Sequence, residues 1–148
     1  MTAEQYAEFE ERVIREFAED LVNEGLHTPE SARAESARAQ AEEMPDGLDT
    51  EDELVFAATA AGERVGALWL EVRRRSTGPH VFVMELHVEP GHRRRGYGAE
   101  MMRAAEDVAR SVGAGSIGLH VFGSNAAARG LYRGLGYREI ETLLVADL

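Results

Sequence analysis

Val81 to Val112 constrains this fold more than any other part of the chain. Val81–Val88 is an apolar run rich in Val, too short for a buried helix and suited to an inner strand. Glu89-Pro90-Gly91-His92-Arg93-Arg94-Arg95-Gly96-Tyr97-Gly98-Ala99 then breaks the pattern with glycines and three consecutive arginines. Beyond it, Met101, Met102, Ala105, Val108, Ala109 and Val112 recur at helical spacing. A strand, a basic glycine-bearing loop and a helix in this order form an anion cradle. The first N–H groups of a helix lack partners within it, and glycine lets an anion approach the backbone.

The flanking segments read as supports for that unit. Tyr6, Phe9, Val13, Phe17 and Leu21 step by three or four residues, which predicts a helix from Ala3 to Asn23 closed by Gly25. Thr28-Pro29-Glu30 opens a second helix, with Thr as N-cap and Pro at the first helical position; it runs to Glu43. Its apolar face is mostly alanine, so shallow packing is expected. Met44–Thr50 is a loop built on a Pro-Asp-Gly turn. Leu54–Ala60 and Val65–Arg73 read as a hairpin about Ala61-Gly62-Glu63-Arg64, with Leu68, Leu70 and Val72 on one face and Trp69 and Glu71 on the other.

After the central helix stops near Gly113-Ala114-Gly115, Ile117, Leu119 and Val121 alternate with Gly118, His120 and Phe122 as a further strand. Ser124 or Asn125 caps a short helix, Ala126–Leu135, with Gly136 following it. Gly130 and Gly134 should each cost that helix about 1 kcal/mol relative to alanine, which fits close packing, close ligand approach or slack. Tyr137–Ala146 reads as a final strand. The order α-α-β-β-β-α-β-α-β is that of an α/β (α+β) mixed sheet flanked by helices.

A chain of 148 residues is expected to form one domain, residues 1–148, around one core. Residues 1–53 carry 17 acidic side chains against 4 arginines, a balance of −13, whereas residues 54–148 carry 10 against 12. An acidic front half argues against nucleic acid or anionic membrane as partners and would draw cations, although solubility or salt adaptation accounts for it equally well. No apolar run is long enough to cross a bilayer, and the polar, acidic first ten residues do not read as a signal peptide. A cytoplasmic location is the default expectation. With no cysteine there is neither thiol chemistry nor a thiolate metal site. The Glu, His and Asp residues look too scattered for a metal centre.

Two common phosphate motifs can be set aside. A P-loop needs Lys and Ser/Thr after its last glycine, where this chain has Ala99-Glu100. A dinucleotide fingerprint wants a third glycine, where this chain has Met101, and an acid closing the next strand, which ends at Val121-Phe122. What the loop does resemble becomes clear from a second block further along the chain. Leu86-His87-Val88-x-Pro90-x-x-Arg93-x-x-Gly96-x-Gly98 resembles the coenzyme A loop of the GNAT superfamily of N-acetyltransferases. Leu119-x-Val121-x-x-x-Asn125-x-x-Ala128-x-x-Leu131-Tyr132-x-x-x-Gly136-Tyr137 resembles that family's second block. Order and spacing agree, and the resemblance covers about residues 54–146.

The resemblance implies an acetyl-CoA-dependent N-acetyltransferase and assigns roles. The pyrophosphate would sit on the backbone of Arg93, Arg94, Arg95, Gly96, Tyr97, Gly98 and Ala99, with the arginines adding positive charge. The pantetheine arm would pair with the strand at Leu86 and Val88, and Asn125 would both cap its helix and contact CoA. Tyr132 would protonate the departing thiolate. Glu85, a carboxylate in an otherwise apolar strand, is the first candidate for the base that deprotonates the acceptor ammonium, with His87 and His120 as rivals. No metal is implied. Residues 1–53 would wall the acceptor side, and their charge points to a cationic amine: a small amine, an amino acid or polyamine, or a peptide amine. With no cysteine to carry an acyl group, direct transfer is the simpler route. The alternative is a non-catalytic acyl-CoA-binding module that engages a protein partner.

The chain departs from the family pattern at both ends. No strand precedes the first helix, and only one segment follows the second block where relatives often have two strands. A shortened sheet leaves open edges, which dimerisation or strand exchange would protect.

Overall fold

The computed structural model describes residues 1–146. Two helices come first, α1 (Ala3–Asn23) and α2 (Pro29–Glu43), followed by a 3-10 turn at Gly47–Asp49. Three strands follow: β1 (Glu53–Ala60), β2 (Glu63–Arg75) and β3 (Gly78–Val88). A second 3-10 turn, Pro90–His92, leads into α3 (Tyr97–Ser111), β4 (Ser116–Leu119) and α4 (Ala126–Gly134). The sheet order is β1-β2-β3-β4, antiparallel except for the parallel β3–β4 pair. The mixed α/β architecture expected from the sequence is the one observed.

Local chemistry explains most of the boundaries. The Thr2 and Thr28 hydroxyls accept from the N–H groups of Gln5 and Ser31, capping α1 and α2. The β1–β2 connection needs only Ala61-Gly62, with φ of 50° and 84°, the left-handed pair of a tight hairpin turn. The first core lies between the sheet and α3: Leu68, Leu70, Val72, Val81 and Val83 meet Met101, Met102, Ala105 and Ala109. Fully burying a side chain such as Leu70 or Met102 contributes about 1.5–3 kcal/mol. On the opposite face, Ala67 and Trp69 pack under Phe9 and Met44, with Trp69 edge-on to Phe9 at 6.1 Å. The expected two faces of β2 are thus the two cores. The buried face of α2 is Ala32, Ser36 and Gln40 rather than a stripe of alanines, with Ala34, Ala37 and Ala41 exposed, and the Ser36 hydroxyl donates to Ile14 O at 2.7 Å.

One irregularity sets up the site. Along β2–β3, Trp69 pairs with Glu85 but Leu70 pairs with Val83, so Met84 is an extra residue on β3. Strict alternation from Val81 and Val83 would drive Glu85 and His87 into the α3 core. The bulge shifts the alternation by one, turning Glu85 and His87 toward α1 and returning Leu86 and Val88 to the α3 side.

Two sequence expectations are corrected. Tyr137–Ala146 forms no strand: residues 138–146 leave α4 exposed and without ladder partners, and a strand needs one to satisfy its backbone. The strand expected to reach Phe122 pairs only as far as Leu119. Gly130 and Gly134 are not there for protein packing, because a Cβ at either would meet no atom within 4 Å. Gly130 lies mid-helix with ordinary φ, so Gly130→Ala should stabilise the fold by about 1 kcal/mol, read as a higher midpoint in thermal melting.

Candidate active site

The anion cradle is formed where β3 hands over to α3. Gly96 is the N-cap of α3 at φ 87° and offers no side chain to cap the helix, so the N–H groups of Tyr97, Gly98 and Ala99 stay open to an anion. Arg94 also takes a positive φ of 61°, a conformation that costs a non-glycine residue free energy. Arg94 and Arg95 are exposed. Arg93 has a different task, since its Nε donates to Val88 O at 3.0 Å and braces the loop against the strand. Gly98 packs close to α4: a Cβ there would lie 3.2 Å from Leu131 Cδ2, so that side chain would have to give way.

Next to the cradle, the sheet opens. β3 and β4 pair only from His80↔Ser116 to Val83↔Leu119, so among the described residues β3 has no partner on that side from Met84 onward. Glu89 N donates to Val65 O, toward β2. Alternation along the strand therefore points the backbone groups of Leu86 and Val88 into the gap. The N–H groups of both residues face the opening, whereas the Val88 carbonyl is engaged by Arg93.

Glu85 stands on the α1 side of this gap. Arg12 of α1 donates from Nη1 to Glu85 Oε1 at 3.0 Å and to Glu16 Oε2 at 2.9 Å. Glu16 lies 3.5 Å from His87 Nδ1, and Glu89 lies 3.6 Å from His87 Nε2. Burial pushes the Glu85 carboxyl above the usual range, opposed by the Arg12 guanidinium. Glu16 also meets a burial penalty, but His87 and Arg12 outweigh it and hold its carboxyl low. The ligand atoms of Glu16, Glu85 and His87 lie within 4.8 Å of one another, so the fold gathers acids that look scattered in the sequence. The Arg12 guanidinium lies against both of its carboxylates.

Tyr132, on α4, packs at the edge of the α3 core. Its phenol is pushed up by burial and then by the charge of Glu85, so the two residues share one electrostatic environment. Asn125 caps α4, its Oδ1 accepting from Ala128 N at 3.1 Å. His120 sits apart, exposed and edge-on to Phe82 at 5.0 Å. Arg12 and Glu16 were not singled out from the sequence. The signal was present, because both fall on the face of α1 that also carries Phe9.

Residues 12–137 match the Acetyltransferase (GNAT) family. The chain belongs to that family. It is a GNAT acyltransferase, similar to relatives that are themselves named N-acetyltransferases. YycN of Bacillus subtilis (strain 168), an N-acetyltransferase of uncharacterised activity, is 26% identical over 149 residues, covering 100% of this chain and 96% of that protein. Its crystal structure superposes with a TM-score of 0.95. Streptothricin acetyltransferase of Streptomyces lavendulae is 33% identical over 96 residues, 65% of this chain and 50% of that protein. The structure of AAC(6')-Iy with the bisubstrate analogue CoA-S-monomethyl-acetylneamine gives a TM-score of 0.61 at 20% identity, covering 82% of this chain and 81% of that one. At that identity the likeness is one of fold. No helix among the described residues of this acetyltransferase is long and apolar enough to cross a membrane.

Proposed function

We propose that this acetyltransferase moves an acetyl group directly from acetyl-CoA to a primary amine, using Glu85 as base and Tyr132 as acid. The observation that carries the proposal is the gap beyond Val83, with open N–H groups at one end and Glu85 on the α1 side, near enough to Tyr132 for its charge to add to the upward push of burial on the phenol. An anionic pyrophosphate fits the uncapped start of α3 with Arg94 and Arg95, and an extended arm fits the open edge at Leu86 and Val88. Acetyl-CoA supplies the activated acetyl thioester. The family match and the CoA-based ligand of AAC(6')-Iy support this choice of cosubstrate.

Each group has work suited to its surroundings. Glu85, raised by burial, takes the proton from the acceptor ammonium, freeing the lone pair that attacks the carbonyl carbon. The Val88 N–H, directed into the gap, is placed to stabilise negative charge on the carbonyl oxygen. Tyr132, kept protonated by burial, gives its proton to the sulfur as the carbon–sulfur bond breaks, and the second proton, shed by the newly acylated nitrogen, restores the phenol. We assign the acceptor to the α1–α2 side, where the acidic balance of residues 1–53 favours a cationic amine. Only carboxylates within a Debye length of about 8 Å of the gap contribute to that preference.

The test is release of CoA from acetyl-CoA across a panel of small amines, polyamines, amino acids and peptides. Tyr132→Phe should lower kcat at least about 100-fold while the KM for acetyl-CoA changes little. Unchanged turnover in that variant would remove Tyr132 from the chemistry. Tight CoA binding with no release for any amine would overturn the catalytic reading as a whole.

A further inference from the structure

A groove of about 430 Å³ lies between α1 and the start of α2, and none of the residues assigned to acetyl transfer lines it. Its size falls in the range of about 300–1,000 Å³ typical of small-molecule sites. Arg15, Ala18, Glu19 and Val22 form one wall. Their spacing of three or four residues puts them on a single face of α1, distinct from the face that carries Arg12 and Glu16. Pro29 and Arg33, one turn apart on α2, form the other wall, and Asn23 lies where α1 ends.

Fixed parts hold the groove open. Thr2 and Thr28 cap the two helices, and the Ser36 hydroxyl ties α2 to Ile14 O at 2.7 Å. In the turn between them, the N–H groups of Leu26 and His27 both donate to Leu21 O. Because Thr28 already caps α2, the helix start is not what would draw an anion here.

The charges in the groove are more telling than its shape. Residues 1–53 carry only four arginines against 17 acids. Arg12 is committed to Glu16 and Glu85, and Arg38 to Glu35 and Glu42 at 2.6 Å each. The other two, Arg15 and Arg33, meet at this groove. Arg15 comes no closer than 3.9 Å to Glu16, beyond hydrogen-bond reach, and Arg33 gives Nη2 to Glu11 at 3.0 Å. Donors therefore remain on both guanidiniums, whose planar fork suits a carboxylate. Glu19 sets one negative charge on the same wall, and Ala18, Val22 and Pro29 supply apolar surface. A simple anion would be left facing Glu19, and a simple cation would face two arginines. A zwitterion with an apolar body matches every one of these groups.

We propose that this groove binds a free amino acid with an apolar side chain. Its carboxylate lies on Arg15 and Arg33, its ammonium on Glu19, and its side chain against Ala18, Val22 and Pro29. The site is separate from the transfer chemistry and does not depend on the catalytic assignments.

Calorimetric titration of the full chain, with CoA present at saturation, tests it with three probes. L-leucine should bind saturably, one molecule per chain. Leucinamide, which lacks the carboxylate, and 4-methylpentanoate, which lacks the ammonium, should each bind at least about tenfold more weakly. Arg15→Met and Arg33→Met should each weaken L-leucine at least about tenfold. Both side chains are at least half exposed, so the melting midpoint should hardly move. Glu85→Gln should bind L-leucine as the native chain does. No saturable binding up to about 10 mM overturns the proposal, as does binding that survives both arginine variants or is equal for 4-methylpentanoate. Loss of L-leucine binding in Glu85→Gln overturns it too: the amino acid then sits on the acceptor side, and the acetyl-transfer reading stands without this second site.

Discussion

Replacing Glu85 with glutamine is expected to lower kcat about 100- to 10,000-fold near neutral pH, the range for losing a positioned general base, with a far smaller change in the KM for acetyl-CoA. Glutamine keeps the size of the side chain and an oxygen for Arg12 but cannot accept the ammonium proton. The pH profile carries the sharper signature. Burial raises the folded pKa of Glu85, so the native rate should climb as pH rises through that value and then level. Arg12 opposes the rise, so Arg12→Met should move the limb to higher pH and leave the plateau nearer to native. Stability follows with a definite sign. A carboxyl whose folded pKa is raised binds its proton more tightly in the folded state, and the stability this confers is lost as pH climbs through the folded pKa. Glu85→Gln is free of that loss, so its stability relative to the native chain should improve as pH rises from the ordinary glutamate range through the raised folded pKa. A rate defect that is flat with pH would mean that Glu85 positions rather than takes the proton.

Gly66→Ala should be the most damaging small substitution in the sheet. A Cβ at Gly66 would lie 2.1 Å from His87 O and 3.3 Å from Met101 Sδ. No rotamer relieves a clash with a backbone carbonyl, so β3 itself must move. Overpacking typically costs about 1–3 kcal/mol, and a backbone clash belongs at the upper end. For a chain of this size that lowers the melting midpoint by about 6–12 °C. The shift acts on His87-Val88, so CoA affinity should fall with stability when measured by calorimetry below the midpoint. Gly91 is the control: a Cβ there meets nothing within 4 Å, and Gly91→Ala should stay within about 0.5 kcal/mol of the native chain. Equal melting of Gly66→Ala and the native chain would show that β2 and β3 are looser than their register implies.

How far the sequence could be read followed from how local each signal is. The stripe Tyr6–Leu21, the Thr28-Pro29 start and the Ala61-Gly62 turn act within a few residues, and those elements appear where expected. The loop from Arg93 to Ala99 was legible for the same reason, its glycines and the following helix being contiguous. Met84 was not legible. An extra residue on one strand exists only relative to its neighbour, and nothing in Val83-Met84-Glu85 announces it. The partners of Glu85 were hidden by distance, since Arg12 is 73 residues away along the chain. The alternation of Ile140, Thr142 and Leu144 read as a strand, but a strand needs a neighbour to pair with, and among the described residues this segment has none.

The bulge at Met84 also has a consequence for traffic through the site. By reversing which way β3 points its side chains, it leaves Glu85 on the α1 side of the sheet while Tyr132 and the start of α3 lie on the other. On the proposed reading, the amine and the thioester approach the gap by separate doors, and neither has to leave for the other to arrive. Occupancy by both at once is then a matter of geometry rather than of ordered handover, the arrangement that direct transfer in a chain without cysteine would use.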